Sequence, residues 1–541
     1  MYKLKVLFLF LFVTVLGFSQ DSDYIFGQLV DVTQLEAVPF ATIKVKDKSL
    51  GVITNIDGTF KIPIRFKEVG ETLEISCMGY ITQEVLLDDL FVGQSNIILI
   101  KPGAFELSGA IVFANFKKLT AKQIVRIAVH SIAKNYPIDP FRLTGYYRDY
   151  QVKNGDYTNL NEAIIEIADV GFNKKDILDN NYHLYSYSRN TNFEVDSFAR
   201  QPYDYARFQK IIPYAKLEND KGNEFLTLRL HDAVRNYGLE SFSFIDDIAS
   251  DFIDKHRFKL VGKTNFNKES VYRIDFSYID DNYRAEGKVY INIYDFSIHQ
   301  LDYSLFKRLK PGDNTYAVNE QERFSDGFKK TNSELLYHIQ VEYARGDREK
   351  MFLNYISFYN KIMLQRPGPF RARFIVDLND KSFKIRLNKM PAKLNKIKKT
   401  DFKITYKDRL VPIEDFYFLE DERTFVVCPY IEIEESKITK DYLFKHKDRV
   451  EVSEINYSFT NIKDREGNKL DRTNLEYVHQ YREFFTQETQ ANKAIQDTTQ
   501  LLIKTLPLYS PKQPVFMEEM QNDYWKNTPL PKLNTLGPQL P

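Results

Sequence analysis

Gly27-Gln28-Leu29-Val30-Asp31, Val38-Pro39-Phe40-Ala41-Thr42-Ile43, Thr54-Asn55-Ile56-Asp57-Gly58-Thr59-Phe60 and Ser76-Cys77-Met78-Gly79-Tyr80 form the stretch that decides the fold. Around it, short segments alternate or run apolar between turn signals: Tyr24–Val30, Ala41–Val45, Gly51–Thr54, Thr59–Ile64, Thr72–Ser76, Thr82–Leu87 and Asn96–Ile100. That regular spacing predicts a β-sandwich. Asn55 to Gly58 predicts a turn, because Asn and Asp bond their own backbone and Gly supplies a positive φ. Phe60 restarts the strand and is expected in the core. Gly79-Tyr80 reads as a bend followed by an aromatic plug. A calcium loop of EF-hand type would need more oxygen ligands and a closing Glu, which this stretch lacks.

Gly27, Asp31, Pro39, Ala41, Thr42, Thr54, Asn55, Asp57, Gly58, Phe60, Ser76, Gly79 and Tyr80 together resemble the carboxypeptidase regulatory-like domain of Bacteroidota envelope proteins. That module also precedes the plug of many TonB-dependent receptors. The resemblance implies a transthyretin-like sandwich over residues 22–113 and an accessory role without catalysis. It implies a family of unknown function.

N-terminal to this stretch, Lys3 and Lys5 precede an almost wholly apolar run, Val6 to Phe18. Gly17-Phe18-Ser19 then offers small residues for a signal peptidase, with cleavage between Ser19 and Gln20. The run is shorter than the ~20 residues of a membrane-spanning helix. Residues 1–19 therefore read as a secretory signal peptide, and the expected location is the periplasm, outer membrane or cell surface. No Cys follows the run, which argues against a lipid-modified N-terminus.

Composition sets further bounds. A chain of 541 residues suggests several domains. Net charge is +1, which argues against a nucleic-acid partner, since such a surface needs surplus Lys and Arg. Abundant Tyr and Phe predict extended structure. Cys77 and Cys428 lie far apart. A long-range disulfide and two half-buried thiols are both open readings, and zinc-type spacing is absent.

The expected class is mainly β: the sandwich, a large antiparallel β body with a few helices over 114–366, an Ig-like β domain over 370–472, and a return segment with a Pro-rich tail over 473–541. Thr120-Ala121-Lys122-Gln123 is a capping box, and Ile124, Val125, Ala128 and Ile132 recur at helical spacing. The helix should stop at Tyr136-Pro137. Thr144–Tyr150 and Leu160–Ile167 read as a hairpin turning at Asn154-Gly155, with Arg148 and Glu162 set to pair across it. This hairpin resembles the body that follows the regulatory-like module in one group of Bacteroidota envelope proteins. Phe258 to Leu309 alternates strongly, with Val289, Ile291 and Ile293 on one face. Its order is similar to the curved sheet of lipoprotein-carrier-like proteins, which implies either an apolar cavity or a sheet packed on the 120–135 helix. Glu334–Ala344 and Met351–Leu364 are further strands. Phe402–Tyr406, Thr424–Cys428 and Val450–Phe459 suggest the second small sandwich, and Ile462–Leu470 resembles the closing hairpin of bacterial Ig-like domains. Leu475–Phe485 reads as a return to the large body, Thr486–Leu502 as helical or loose, and Asn527–Pro541 as extended or disordered.

No catalytic constellation stands out. None of His130, His183, His231, His256, His299, His338, His446 and His479 starts a His-Glu-x-x-His pair. His299 and Asp302 come nearest, yet residues three apart on a strand point to opposite faces. No Gly-x-Ser-x-Gly elbow or phosphate-binding loop exists. Carboxylates are plentiful, so a glycosidase-like pair stays open. Catalytic, cofactor and metal residues are accordingly read as none. The expected function is an exported, non-catalytic envelope binding or assembly module. Its expected partners are outer-membrane or TonB-dependent transport proteins. An anionic envelope surface is expected to meet Lys381, Lys384, Lys389, Lys393, Lys396, Lys398 and Lys399. Two alternatives remain: a carrier or sensor of an apolar ligand in the curved sheet, or a hydrolase without a recognisable motif.

Overall fold

The computed structural model describes residues 23–103, 106–107, 119–153, 156–174, 176–190, 192–213, 223–238, 251–266, 269–309, 333–346, 349–430, 454–491, 499–516 and 524–529. The signal reading at 1–19 and the turn at Asn154-Gly155 lie outside them. The chain divides into two compact units, one of residues 1–206, 211–362 and 478–541, the other of 207–210 and 363–477.

The first unit begins with seven short strands: β1 (Tyr24–Asp31), β2 (Thr42–Val45), β3 (Gly51–Ile53), β4 (Thr59–Pro63), β5 (Thr72–Ser76), β6 (Gln83–Leu86) and β7 (Ser95–Ile100). They form two sheets, β4-β1-β7 and β3-β2-β5-β6. β1 buries every second residue, as a strand with one face on a core must. Ile25, Leu29, Ile43, Phe60, Ile75 and Ile98 meet in that core. Gly58 takes φ +72° in the Asn55–Gly58 turn, and a Cβ there would sit 2.7 Å from the Leu29 carbonyl. Gly58→Ala is expected to cost about 1–2 kcal/mol in urea unfolding, from the left-handed backbone alone. Tyr80 is half-buried, and its hydroxyl donates to Asp31 at 2.9 Å, so the plug is tied by a polar bond as well as packing.

The body follows. Its strands are β8 (Glu106–Leu107), β9 (Phe141–Lys153), β10 (Asp156–Asp169), β11 (Asn181–Arg189), β12 (Lys210–Ile211), β13 (Arg257–Phe266), β14 (Glu269–Ile279), β15 (Tyr283–Asn292), β16 (Ile298–Arg308), β17 (Ser333–Arg345) and β18 (Met351–Pro367). The second unit contributes β19 (Ala372–Asp377), β20 (Ser382–Leu387), β21 (Phe402–Tyr406), β22 (Arg409–Leu410), β23 (Ile413–Leu419), β24 (Thr424–Pro429) and β25 (Ile455–Phe459), and the chain returns as β26 (Thr473–Gln490).

Eleven strands make one large antiparallel sheet in the order β11-β10-β9-β26-β18-β17-β16-β15-β14-β13-β8, with β12 off this path. β26 enters at the centre, between β9 and β18. It runs through Gln490, so the first five residues of the stretch read as helical or loose, Thr486–Gln490, continue as strand. Both faces of the sheet centre are covered. Tyr150 of β9 and Tyr481 of β26 cluster with Ile56 of the N-terminal domain, and Tyr355 and Phe485 with Ile53. On the other face, the rings of Tyr147 and Phe484 lie 5.3 and 5.7 Å from Phe225 on the helix Glu224–Leu230. The capping box forms at Thr120 and Gln123, and the helix Ala121–His130 buries Ile124, Val125, Ala128 and Val129. It packs against β13 and β15.

The second unit holds two sheets, β19-β20-β24-β23 and β22-β21-β25. Phe383, Ile385, Phe425 and Val427 of the first share a core with Phe402, Ile404 and Ile455 of the second. Cys77 and Cys428 fall in different units, and no disulfide joins them.

Candidate functional site

Arg148 marks the centre of the first unit. β9 is buried on both faces, so a cation there needs a carboxylate and further acceptors to offset lost hydration. The hairpin register does set Arg148 opposite Glu162, but the two do not pair. Arg148 Nε donates to Glu483 of β26 at 2.6 Å. Its Nη1 donates to the Asn527 carbonyl at 2.8 Å and also to the Asn55 amide oxygen. Glu483 accepts a second bond from the Tyr150 hydroxyl at 2.9 Å. Glu162 instead accepts from the Tyr146 and Thr528 hydroxyls, at 2.5 and 2.9 Å. One guanidinium thus joins the Asn55 turn, two central strands and the C-terminal segment. The space left between Ile53, Tyr146, Arg148, Tyr355, Glu483 and Phe485 is about 10 Å³, near the least that holds one water.

A second cluster faces solvent. A cleft of about 580 Å³ is lined by Lys134, Asn135, Glu269, Asn292, Tyr294, Asp295, Arg345, Glu349 and Lys350. Arg345 grips Glu269 with Nε and Nη2, both at 2.9 Å, and reaches Asp295 at 2.8 Å. His299 Nε2 lies 3.5 Å from Glu269. Hydrogen bonding to His299 and then to Arg345 holds Glu269 well below the usual carboxylate range. Burial pushes Asp295 up, but the bonds from Ser297 and Arg345 outweigh it and leave it lowered. Both carboxylates are therefore ionised near neutral pH, and neither is set up to donate a proton as a glycosidase acid must. Ser297 also approaches His299 Nε2, at 3.4 Å, while its hydroxyl donates to Asp295 at 2.7 Å. Serine and acid thus face the same ring nitrogen. A Ser-His-acid relay requires them on opposite nitrogens.

The residues singled out in the sequence fall elsewhere. His299 and Asp302 do diverge: Asp302 accepts from Gln300 at 2.8 Å and lies 3.8 Å from Lys288. Val289 and Ile291 are 2 % and 0 % exposed, on the strand the capped helix packs against. Lys384 faces Asp377 and Asp380 at 2.8 and 3.2 Å. Lys389 faces Asp464 and Glu466 at 3.6 and 2.9 Å. Among the described residues, no group of His, Cys, Asp and Glu is arranged to hold a metal ion. Sequence reasoning missed the Glu269–Asp295–Arg345 cluster and the partners of Arg148. Neither carries a local signal, since each is assembled from distant strands.

Glu342 of β17 gives a pH-dependent expectation. It is buried, with one oxygen accepting from Asn354 at 2.7 Å. Burial, partly opposed by that bond, pushes its carboxyl up to about 7. Between about pH 4.5 and 7 the folded state holds a proton that the unfolded state has released, so this group's share of stability falls as pH rises through that window. Glu342→Gln keeps the acceptor and removes the charge. It is expected to stabilise the protein by about 2–3 kcal/mol at pH 8 and to leave it unchanged at pH 4, as read by urea unfolding at the two pH values.

Residues 25–108 match the CarboxypepD_reg-like domain family. No curated protein matches the chain. Among solved structures, a LolA superfamily protein from Nitrosomonas europaea is 11% identical, with a TM-score of 0.20, covering 45% of this chain and 86% of its own. A DUF1329 family protein from Desulfovibrio piger is 8% identical, with a TM-score of 0.18, covering 44% and 85%. With TM-scores this low, neither likeness bears on fold or function. The first part of this chain is a CarboxypepD_reg-like domain, docked on a large antiparallel sheet.

Proposed function

We propose that this chain is an exported cell-envelope protein that acts as a binding or assembly module rather than as an enzyme. The observation that carries the reading is the Arg148 centre. It commits a buried ion pair to joining the N-terminal domain, the sheet and the C-terminal segment into one body. The CarboxypepD_reg-like domain supports an accessory role, and the Lys3–Ser19 leader pattern supports export. Outer-membrane proteins, TonB-dependent transporters among them, are the partners this reading names.

The test is fractionation of cells expressing the tagged chain, followed by affinity capture from outer-membrane extract. Recovery in the envelope fraction with a stoichiometric membrane partner is expected. A cytoplasmic chain, or one that captures no envelope protein, overturns the reading. The Arg345 cleft favours a second reading, recognition of a polar ligand. Glu269→Gln and Asp295→Asn variants, screened with the parent for thermal shifts against soluble glycans and peptides, separate the two. A shift lost in both variants supports the ligand site.

A further inference from the structure

Lys393, Lys396 and Lys398 flank two successive 3-10 turns of the second unit, Leu394–Lys396 and Lys399–Asp401. In the sequence they form part of a basic run. The fold adds a second segment to it. The Ala392 amide donates to the Lys463 carbonyl at 2.7 Å. Pro391 bridges to Asp464, and Lys463 to Lys469 across the hairpin. The Thr460 amide donates to the Asp401 carbonyl at 2.9 Å, and the Asn461 side-chain Nδ2 donates to the Asp401 carboxylate at 2.9 Å. These contacts set Lys463 and Lys469 beside Lys393 and Lys398.

All five lysines are exposed, and among the described residues none of the five makes an ion pair. The nearby acids are engaged by other partners. Asp401 is buried and accepts from the Lys398 amide at 2.8 Å as well as from Asn461. Asp464 is buried, and with Glu466 it faces Lys389. A chain of net charge +1 therefore concentrates uncompensated positive charge on one surface.

We propose that this surface docks on an anionic membrane, with phosphate-bearing headgroups as its occupant. Lysine ammonium groups are compact charges on flexible stems. One arginine, Arg465, is exposed on the same hairpin and could read a phosphate bidentately, but the five lysines carry most of the charge. Mobile charges suit a mobile array of headgroups. Each lysine near such a surface adds to affinity, and salt screens the sum. The surface deepens the envelope reading and rests on it for its setting, while its test needs only purified protein.

The exported chain, beginning at Gln20, is sedimented with phosphatidylcholine vesicles that contain or lack phosphatidylglycerol, at low and high salt. Binding to the anionic vesicles alone, abolished by salt, is expected. K393E/K396E/K398E and K463E/K469E are each expected to weaken it at least about tenfold with unchanged thermal melting, while Lys122→Glu, a lysine of the first unit, leaves it intact. Equal binding to both vesicles, insensitivity to salt, or full binding by both variants overturns the proposal. So does tighter binding to duplex DNA than to the anionic vesicles. Failure here leaves export untouched, and failure of export in fractionation leaves vesicle binding to stand or fall on its own.

Discussion

Arg148→Ala is expected to destabilise the first unit by about 3–5 kcal/mol. The guanidinium is 2 % exposed, and its carboxylate partner Glu483 is 4 % exposed. Removing the cation leaves Glu483 buried with one bond from Tyr150 and no opposite charge at contact. It also strips the Asn527 carbonyl and the Asn55 side chain of a donor. Stranding a buried carboxylate is costlier than losing the pair as a whole. The double variant Arg148→Met, Glu483→Leu is therefore expected to recover much of the loss, because it removes both charges and keeps the volume. Chemical unfolding of the three proteins gives the comparison. Limited proteolysis adds a local readout: in Arg148→Ala the N-terminal domain should be released faster, since its Asn55 turn loses its anchor. A single variant as stable as the parent, or a double variant worse than the single, would show that Arg148 does not hold this junction.

This centre explains which parts of the fold were legible in the sequence. The N-terminal strands read correctly because one face meets a core and the other meets solvent, so apolar residues alternate, as in β1. The capped helix read correctly for the same reason, with its periodic apolar side turned to β13 and β15. The centre of the large sheet obeys a different rule. β10 is buried from Tyr157 to Asp169, yet it carries Asn161, Glu162 and Glu166. Such strands belong inside only when partners from elsewhere satisfy their polar groups. Asn161 and Glu166 find theirs on the neighbouring strands, but Glu162 draws on Thr528, and on β9 Arg148 draws on Glu483 and Asn527, all hundreds of residues away. Local pattern therefore suggested a hairpin ion pair at Arg148 and Glu162, when the low-energy partner was Glu483 on a strand that returns after the second unit. The helix Glu224–Leu230 was missed for a related reason. Phe225 to Leu230 are all buried, and a helix covered on every side shows no amphipathic period.

The C-terminal segment carries the other large expected effect. Composition makes Asn527–Pro541 read as extended or disordered; of that stretch the structure describes residues 527–529, and there Asn527 is 0 % exposed, as is Trp525 just before it. Trp525, the single tryptophan of the chain, joins the core of the N-terminal domain with its ring 5.5 Å from Phe66. Its indole donates to the Lys61 carbonyl at 2.7 Å, and Asn527 accepts from the Lys61 amide at 3.0 Å. The edge of β4 is thereby closed by the far end of the chain, which removes an exposed strand edge. Gln487 of β26 completes the junction, bonding the Trp525 amide at 2.8 Å and carbonyl at 2.6 Å and the Gly51 carbonyl at 2.8 Å. Trp525→Ala opens a large cavity and is expected to cost about 3–5 kcal/mol, measured by urea unfolding with near-UV circular dichroism following the buried indole in the parent. Trp525→Phe keeps most of the volume but leaves the Lys61 carbonyl without its donor, so a smaller loss, about 1–3 kcal/mol, is expected. If truncation before Tyr524 left stability unchanged, the segment would be a passenger. The structure makes it instead the piece that fixes the CarboxypepD_reg-like domain in place, so the domain behaves as part of the body and not as a spacer on a free hinge.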